Sequence, residues 1–183
     1  MRLPRSSFLR IATFAAITAG TAIAVSGCAV SVPVGVKPIA GFDARRYMGT
    51  WYELARIDHR FEKGLTRTSA HYTLNDDGTV KVVNRGFDVS RQEWRESEGR
   101  ARFLGDPSIA ALKVSFFGPF YGGYNVVSLD DGYQTALVVG SSPEYFWLLS
   151  RSKQIPADKL KALLEKAQDL GIDLRRVLLV EQE

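Results

Sequence analysis

From Thr50 onward, short runs rich in Val, Ile, Thr, Tyr, Phe and Trp alternate with clusters of Asp, Asn and Gly. Runs of that composition, bounded by turn residues, predict strands. Nine are readable, at residues 50–58, 66–75, 79–86, 94–104, 109–117, 123–129, 133–140, 144–151 and 176–182. Asn75-Asp76-Asp77-Gly78 and Asp130-Asp131-Gly132 predict hairpin turns, their Asx and Gly residues supplying the positive φ such turns need. Neighbouring runs then pair antiparallel. A single stretch carries a helical period: residues 156–170 put Leu160, Leu163, Leu164, Ala167 and Leu170 on one face, and Gly171 stops it. Eight hairpin-linked strands, then one C-terminal helix and a ninth strand, predict an all-β fold, an eight-stranded antiparallel up-and-down barrel. A sandwich remains open, but the short connections disfavour its Greek-key crossings.

The first 27 residues follow a different pattern. Residues 1–10 carry Arg2, Arg5 and Arg10 and no acid, and residues 11–25 are 15 apolar and small side chains ending at Ser26-Gly27-Cys28. That is the build of a secretory signal peptide over residues 1–27. The apolar run falls short of the ~20 residues a membrane-spanning helix needs. Val25-Ser26-Gly27-Cys28 resembles the bacterial lipobox, which implies that Cys28 is lipidated and becomes the first residue of the mature chain. With ~0.8 kcal/mol per buried methylene, several acyl chains on Cys28 make a lasting anchor. Ala29 follows where retained lipoproteins carry Asp, which implies the outer membrane, the periplasmic face favoured. Residues 29–41 hold Pro33, Pro38 and two glycines without a helical period, so 28–41 reads as an extended tether of at most ~40 Å.

Composition narrows the function. The 183 residues carry 24 Lys and Arg against 20 Asp and Glu, a formal charge of +4. Three of those cations lie in the leader, so the remaining 21 against 20 leave a balance near neutrality and no nucleic-acid partner. The 156 residues after the leader fit one domain, 42–183 with its tether. One Cys at the cleavage site means that an exported chain folds without an intramolecular disulfide.

Gly49-Thr50-Trp51, Leu129-Asp130-Asp131-Gly132-Tyr133 and Leu149-Ser150-Arg151 stand in the order of the three motifs of the lipocalins, which the chain resembles from Gly41 to its end. Asp58-His59-Arg60-Phe61-Glu62, the stretch from Phe116 to Asn125 and the lipobox resemble the membrane-anchored bacterial subgroup of that family. In such a barrel Gly49, Trp51 and Arg151 sit at the closed base, where guanidinium over indole gives about 0.5–2 kcal/mol. Strand alternation then directs Tyr145, Trp147 and Leu149 inward with Arg151. The same rule turns Ala110, Leu112, Val114 and Phe116 inward, together with Ser97, Gly99, Ala101 and Phe103. Tyr124 joins the expected ligand-lining set. Gly99, Ala101 and Ala110 either leave room for one small ligand or merely accommodate Trp147 and the phenylalanines.

Parity also puts Glu53 on the face of Trp51, Ala55 and Ile57, where a carboxylate must be paired or protonated. Arg151 or a tyrosine is its expected partner, and a ligand headgroup or proton role stays open. Phe117, Phe120 and Tyr121 fall in a loop near the open end, as a portal or a contact with membrane or another subunit. His59 reads as a solvated loop residue and His71 as a strand residue. Neither a G-x-S-x-G, an H-E-x-x-H nor a C-x-x-C is present, so no catalytic residue, metal or cofactor is expected. The resemblance implies lysophospholipid or fatty acid as ligand, storage or transport for membrane maintenance, and a homodimer. Two rivals stand beside it: a haem or pigment carrier using His59 or His71, and a barrel enzyme using Glu53.

Overall fold

The computed structural model describes residues 30–183. The leader and Cys28 lie outside the described residues. A helical turn α1 (Ala44–Tyr47) precedes eight strands: β1 (Gly49–Ile57), β2 (Leu65–Leu74), β3 (Val80–Asp88), β4 (Glu93–Phe103), β5 (Ala111–Phe117), β6 (Phe120–Leu129), β7 (Thr135–Val139) and β8 (Phe146–Ser150). Helix α2 (Ala157–Asp169), a 3-10 turn (Leu174–Arg176) and β9 (Val177–Leu179) complete the chain. Each strand pairs antiparallel with the next, and β1 closes the sheet by pairing with β8 on one side and β2 on the other. This is the eight-stranded barrel with a helix and a ninth strand.

Two helical pieces escaped the sequence pattern, because each is too short to show a period. Asp43 caps α1 by accepting from the Arg45 and Arg46 amides, and Asp173 caps the 3-10 turn through Arg175 N. The second predicted hairpin also differs in detail: the positive φ falls on Tyr133, at 57°, and not on Gly132. Asp130 accepts from the backbone N–H groups of Gln134 and Thr135, and the Tyr133 hydroxyl accepts from Asp43 N at 2.9 Å, so contacts at both ends of the residue hold it there.

The tether is fastened earlier than its composition suggests. Ile39 N donates to Val126 O, Ala110 N donates to Ile39 O, and Val36 packs on the cluster under α2. Extended backbone has open donors and acceptors, and here β6 and the residue before β5 use them. Residues 36–39 are therefore part of the barrel's surface packing and not free tether.

Two apolar clusters share the barrel wall. One fills the inside and includes Trp51, Tyr72, Leu112, Val126 and Val138. The other lies outside β7 and β8, where Leu137, Val139, Phe146 and Leu148 meet the Ala167 face of α2. All five residues of β7 are buried because one face looks inward and the other lies under the helix.

In β1 the alternation breaks. The register with β8 shifts between Glu53 and Ala55, a bulge that adds one residue and reverses the parity beyond it. Leu54, Ala55 and Ile57 consequently face α2, not the interior, and Ala55 is removed from the lining set. The seam between β1 and β2 opens at the same point, and Gln182 fills it by donating to Glu53 O and Thr68 O. On the opposite wall β4 pairs with β5 only over Arg100–Phe103, while residues 93–99 of β4 pair with β3 alone.

Candidate binding site

The base of the barrel is a stack. Trp51 is wholly buried, with the Arg151 guanidinium 4.0 Å from its ring centre and the Tyr47 ring 4.7 Å from it. Arg151 donates to the carbonyls of Thr50, Met48 and Arg46, and Trp51 Nε1 donates to Tyr47 O. Gly49 is glycine for two reasons: its φ is 92°, and a Cβ there would lie 3.3 Å from Arg151 Nη1.

Above the stack the wall is apolar. Ala101, Phe103, Leu112, Val114, Phe116, Tyr124 and Trp147 join Trp51 in the inner cluster. At Gly99 the small residue accommodates an aromatic ring: a Cβ would meet Phe116 at 2.8 Å. At Gly122 a Cβ would meet nothing within 4 Å, so space remains there. Between stack and wall the hydroxyls of Tyr47 and Tyr72 each meet that of Tyr124, at 2.8 and 2.9 Å. Sequence reasoning missed Tyr47 and Tyr72. An inward-facing tyrosine carries no mark of its partner until the strands close.

The other end carries charge. Glu53 is paired with Arg56 at 2.8 Å, and not with Arg151 or a tyrosine. The bulge causes this, because it returns Arg56 to the side of Glu53. Arg56 also holds Asp58 and donates to the carbonyls of Glu62 and Leu65, tying residues 58–65 across the mouth. Glu62 accepts from Trp147 Nε1 at 3.1 Å, and burial together with the Glu53 charge pushes its carboxyl up to about 8. Burial likewise raises Glu53, against the opposing pull of Arg56. Neither the interior place of Glu62 nor its bond to Trp147 has a signal in the sequence.

His59 is not a solvated loop residue. Its ring stacks on Tyr145 at 4.3 Å and on Phe61 at 5.4 Å, and burial lowers its basicity. Tyr145 is the other half of this correction: it precedes β8, where Gly140 N donates to its carbonyl, and stands at the rim without lining the wall. His71 points outward and meets Thr50 Oγ1. Phe117 and Phe120 pair across the β5–β6 hairpin and are 79% and 78% exposed, with Tyr121 beside them. By the up-and-down connectivity this hairpin shares its end with residues 58–64.

Closed barrel, stacked base and apolar interior find their counterpart in known proteins. The profile of the lipocalin-like domain matches residues 42–182. The chain belongs to the lipocalin family. This lipocalin is 46% identical over 174 residues to outer membrane lipoprotein Blc of Citrobacter freundii, covering 95% of this chain and 98% of that one. It is 42% identical over 162 residues to the protein of that name in Vibrio cholerae, covering 88% and 94%. Among solved structures, the cockroach allergen Per a 4 shares the lipocalin fold with a TM-score of 0.65 at 22% identity, covering 85% of this chain and 97% of its own.

Proposed function

We propose that this chain is a lipid-anchored lipocalin of the outer membrane that carries a lysophospholipid or fatty acid, its acyl chain inside the barrel. It stores or moves such lipids for membrane maintenance. The observation that carries this reading is the continuous apolar inner wall between the Trp51 stack and the mouth. The similarity to outer membrane lipoproteins supports the location, with residues 1–27 as leader and Cys28 as the lipidated residue. A palmitoyl chain gains up to ~12 kcal/mol at ~0.8 per methylene. Much of that is offset by lost ligand freedom, which puts binding near micromolar.

The role is binding, not catalysis. Glu53, the carboxylate that an enzyme reading needs, is held by Arg56 as part of the scaffold of the mouth. Phe117, Phe120 and Tyr121 serve as a portal or as the contact between two copies. The test is native mass spectrometry of the protein starting at residue 28 with Cys28→Ser, followed by identification of what co-purifies. An acyl lipid displaced by added lysophospholipid supports the reading. A protein that binds neither lysophospholipid nor fatty acid overturns it.

A further inference from the structure

The floor of the barrel holds a hydrogen-bond donor that the protein leaves unspent. Tyr47, Tyr72 and Tyr124 come from α1, β2 and β6, and two hydroxyl–hydroxyl bonds join them. Three hydroxyls bring three protons, and each of the two bonds consumes one. Whichever way the bonds run, one proton has no acceptor among the described residues. Buried polar groups in folded proteins are paired, with the chain itself or with something bound. Burial raises all three hydroxyls above the usual tyrosine range, so they remain donors.

Space agrees with this accounting. Gly122 pairs with Val114 and faces the interior two residues before Tyr124, and the room a side chain would take there is open. Below the floor stands the Arg151 cation, separated from the tyrosines by Trp51. At the mouth, the Glu53 and Asp58 carboxylates share the guanidinium of Arg56. An anionic oxygen at the floor would accept the spare proton, while the Arg56 cation at the mouth is already taken by two carboxylates.

We propose that Tyr47, Tyr72 and Tyr124 form a head-down site for the carboxylate of a free fatty acid, whose tail then runs toward the mouth. The proposal rests on the lipid-binding reading and deepens it. A lysophospholipid, whose larger zwitterionic head has no need of the spare donor, sits the other way, head at the rim. The same barrel thus holds two ligand classes in opposite orientations.

The test is nuclear magnetic resonance of the Cys28→Ser protein loaded with palmitic acid labelled with carbon-13 at the carboxyl and at the terminal methyl, with a soluble gadolinium chelate added. A protected carboxyl and a broadened methyl are expected. For palmitoyl lysophosphatidylethanolamine, the phosphorus resonance should broaden. Tyr72→Phe combined with Tyr124→Phe should weaken palmitate about tenfold and the lysophospholipid less than about twofold. If that variant fails to fold, the relaxation measurement on the parent barrel decides alone. A broadened carboxyl with a protected methyl overturns the head-down site and leaves the lipid carrier standing. Binding of neither lipid overturns both.

Discussion

At the base of the barrel Trp51 lies between Tyr47 and Arg151, and the guanidinium finds three backbone carbonyls. At the mouth the Glu53 and Asp58 carboxylates share one guanidinium, a histidine is wedged between aromatic rings, and two phenylalanines face solvent. Trp51 and Arg151 satisfy their polar groups on backbone carbonyls, and only the tyrosine hydroxyls above them keep a proton to give. The mouth keeps buried carboxyls and uncovered apolar surface, which is how a chain is built where something enters. Rigidity and reception are thus separated along one axis, and each end can be perturbed without the other.

The largest effects should come from the groups that each end cannot replace. Arg56→Met leaves Glu53 buried without its cation and should cost about 3–5 kcal/mol in urea unfolding. Adding Glu53→Leu should recover much of that loss; a double variant as unstable as the single would mean that Arg56 acts through the mouth loop alone. At the base, Trp51→Ala opens a cavity worth about 3–5 kcal/mol by the same measurement. Equal loss of ligand affinity in both variants would erase the division between the ends.

Glu62 gives a pH signature confined to the mouth. Its carboxyl is raised from 4.5 to about 8 in the folded protein, so the folded state favours the neutral form. The stability this brings is fully present below about 4.5 and is lost as pH rises through about 8. Glu53, Arg56, Asp58, Tyr72 and the Trp147 indole surround it, and the last two keep their protons throughout. Glu62→Gln should therefore match the parent protein near pH 5 and exceed it in urea midpoint near pH 9. A parent curve that rises with pH across this window would sink the assignment.

Smaller effects sharpen the comparison. Gly49→Ala places a side chain at φ 92° and 3.3 Å from Arg151, and should lower stability by about 1–2 kcal/mol in thermal unfolding. Phe117→Ser with Phe120→Ser should change stability by less than about 0.5 kcal/mol, since neither ring is packed. Sedimentation of that variant separates the two uses of the hairpin: a shift toward monomer identifies a subunit contact, and an unchanged profile with slower lipid uptake identifies a portal.

The base was legible because its chemistry is written in contiguous residues: Gly49 and Trp51 are two apart, and Leu149-Ser150-Arg151 marks the end of β8. The helix was legible because five apolar residues, Leu160 to Leu170, repeat over about three turns. The mouth was not, because its partners lie far apart in sequence. Glu62 and Trp147 are 85 residues apart, Tyr47 and Tyr124 are 77 apart, and only barrel closure makes them neighbours. Ala55 failed for a local reason, as one inserted residue reverses every inward assignment after it and leaves no mark in composition.

What the sequence determined by itself was periodicity: alternation of period two bounded by Asx and Gly turns, one helical stripe, and an apolar run over residues 11–25 ahead of Cys28. Those features depend on near neighbours, so a linear reading reaches them. What the tertiary structure decided was pairing. Glu53 takes Arg56 and not Arg151 because a bulge in β1 turns both to one side, and Glu62 enters the barrel because Arg56 ties down the loop that carries it. The energy of each such contact belongs to two residues that the chain brings together only by folding.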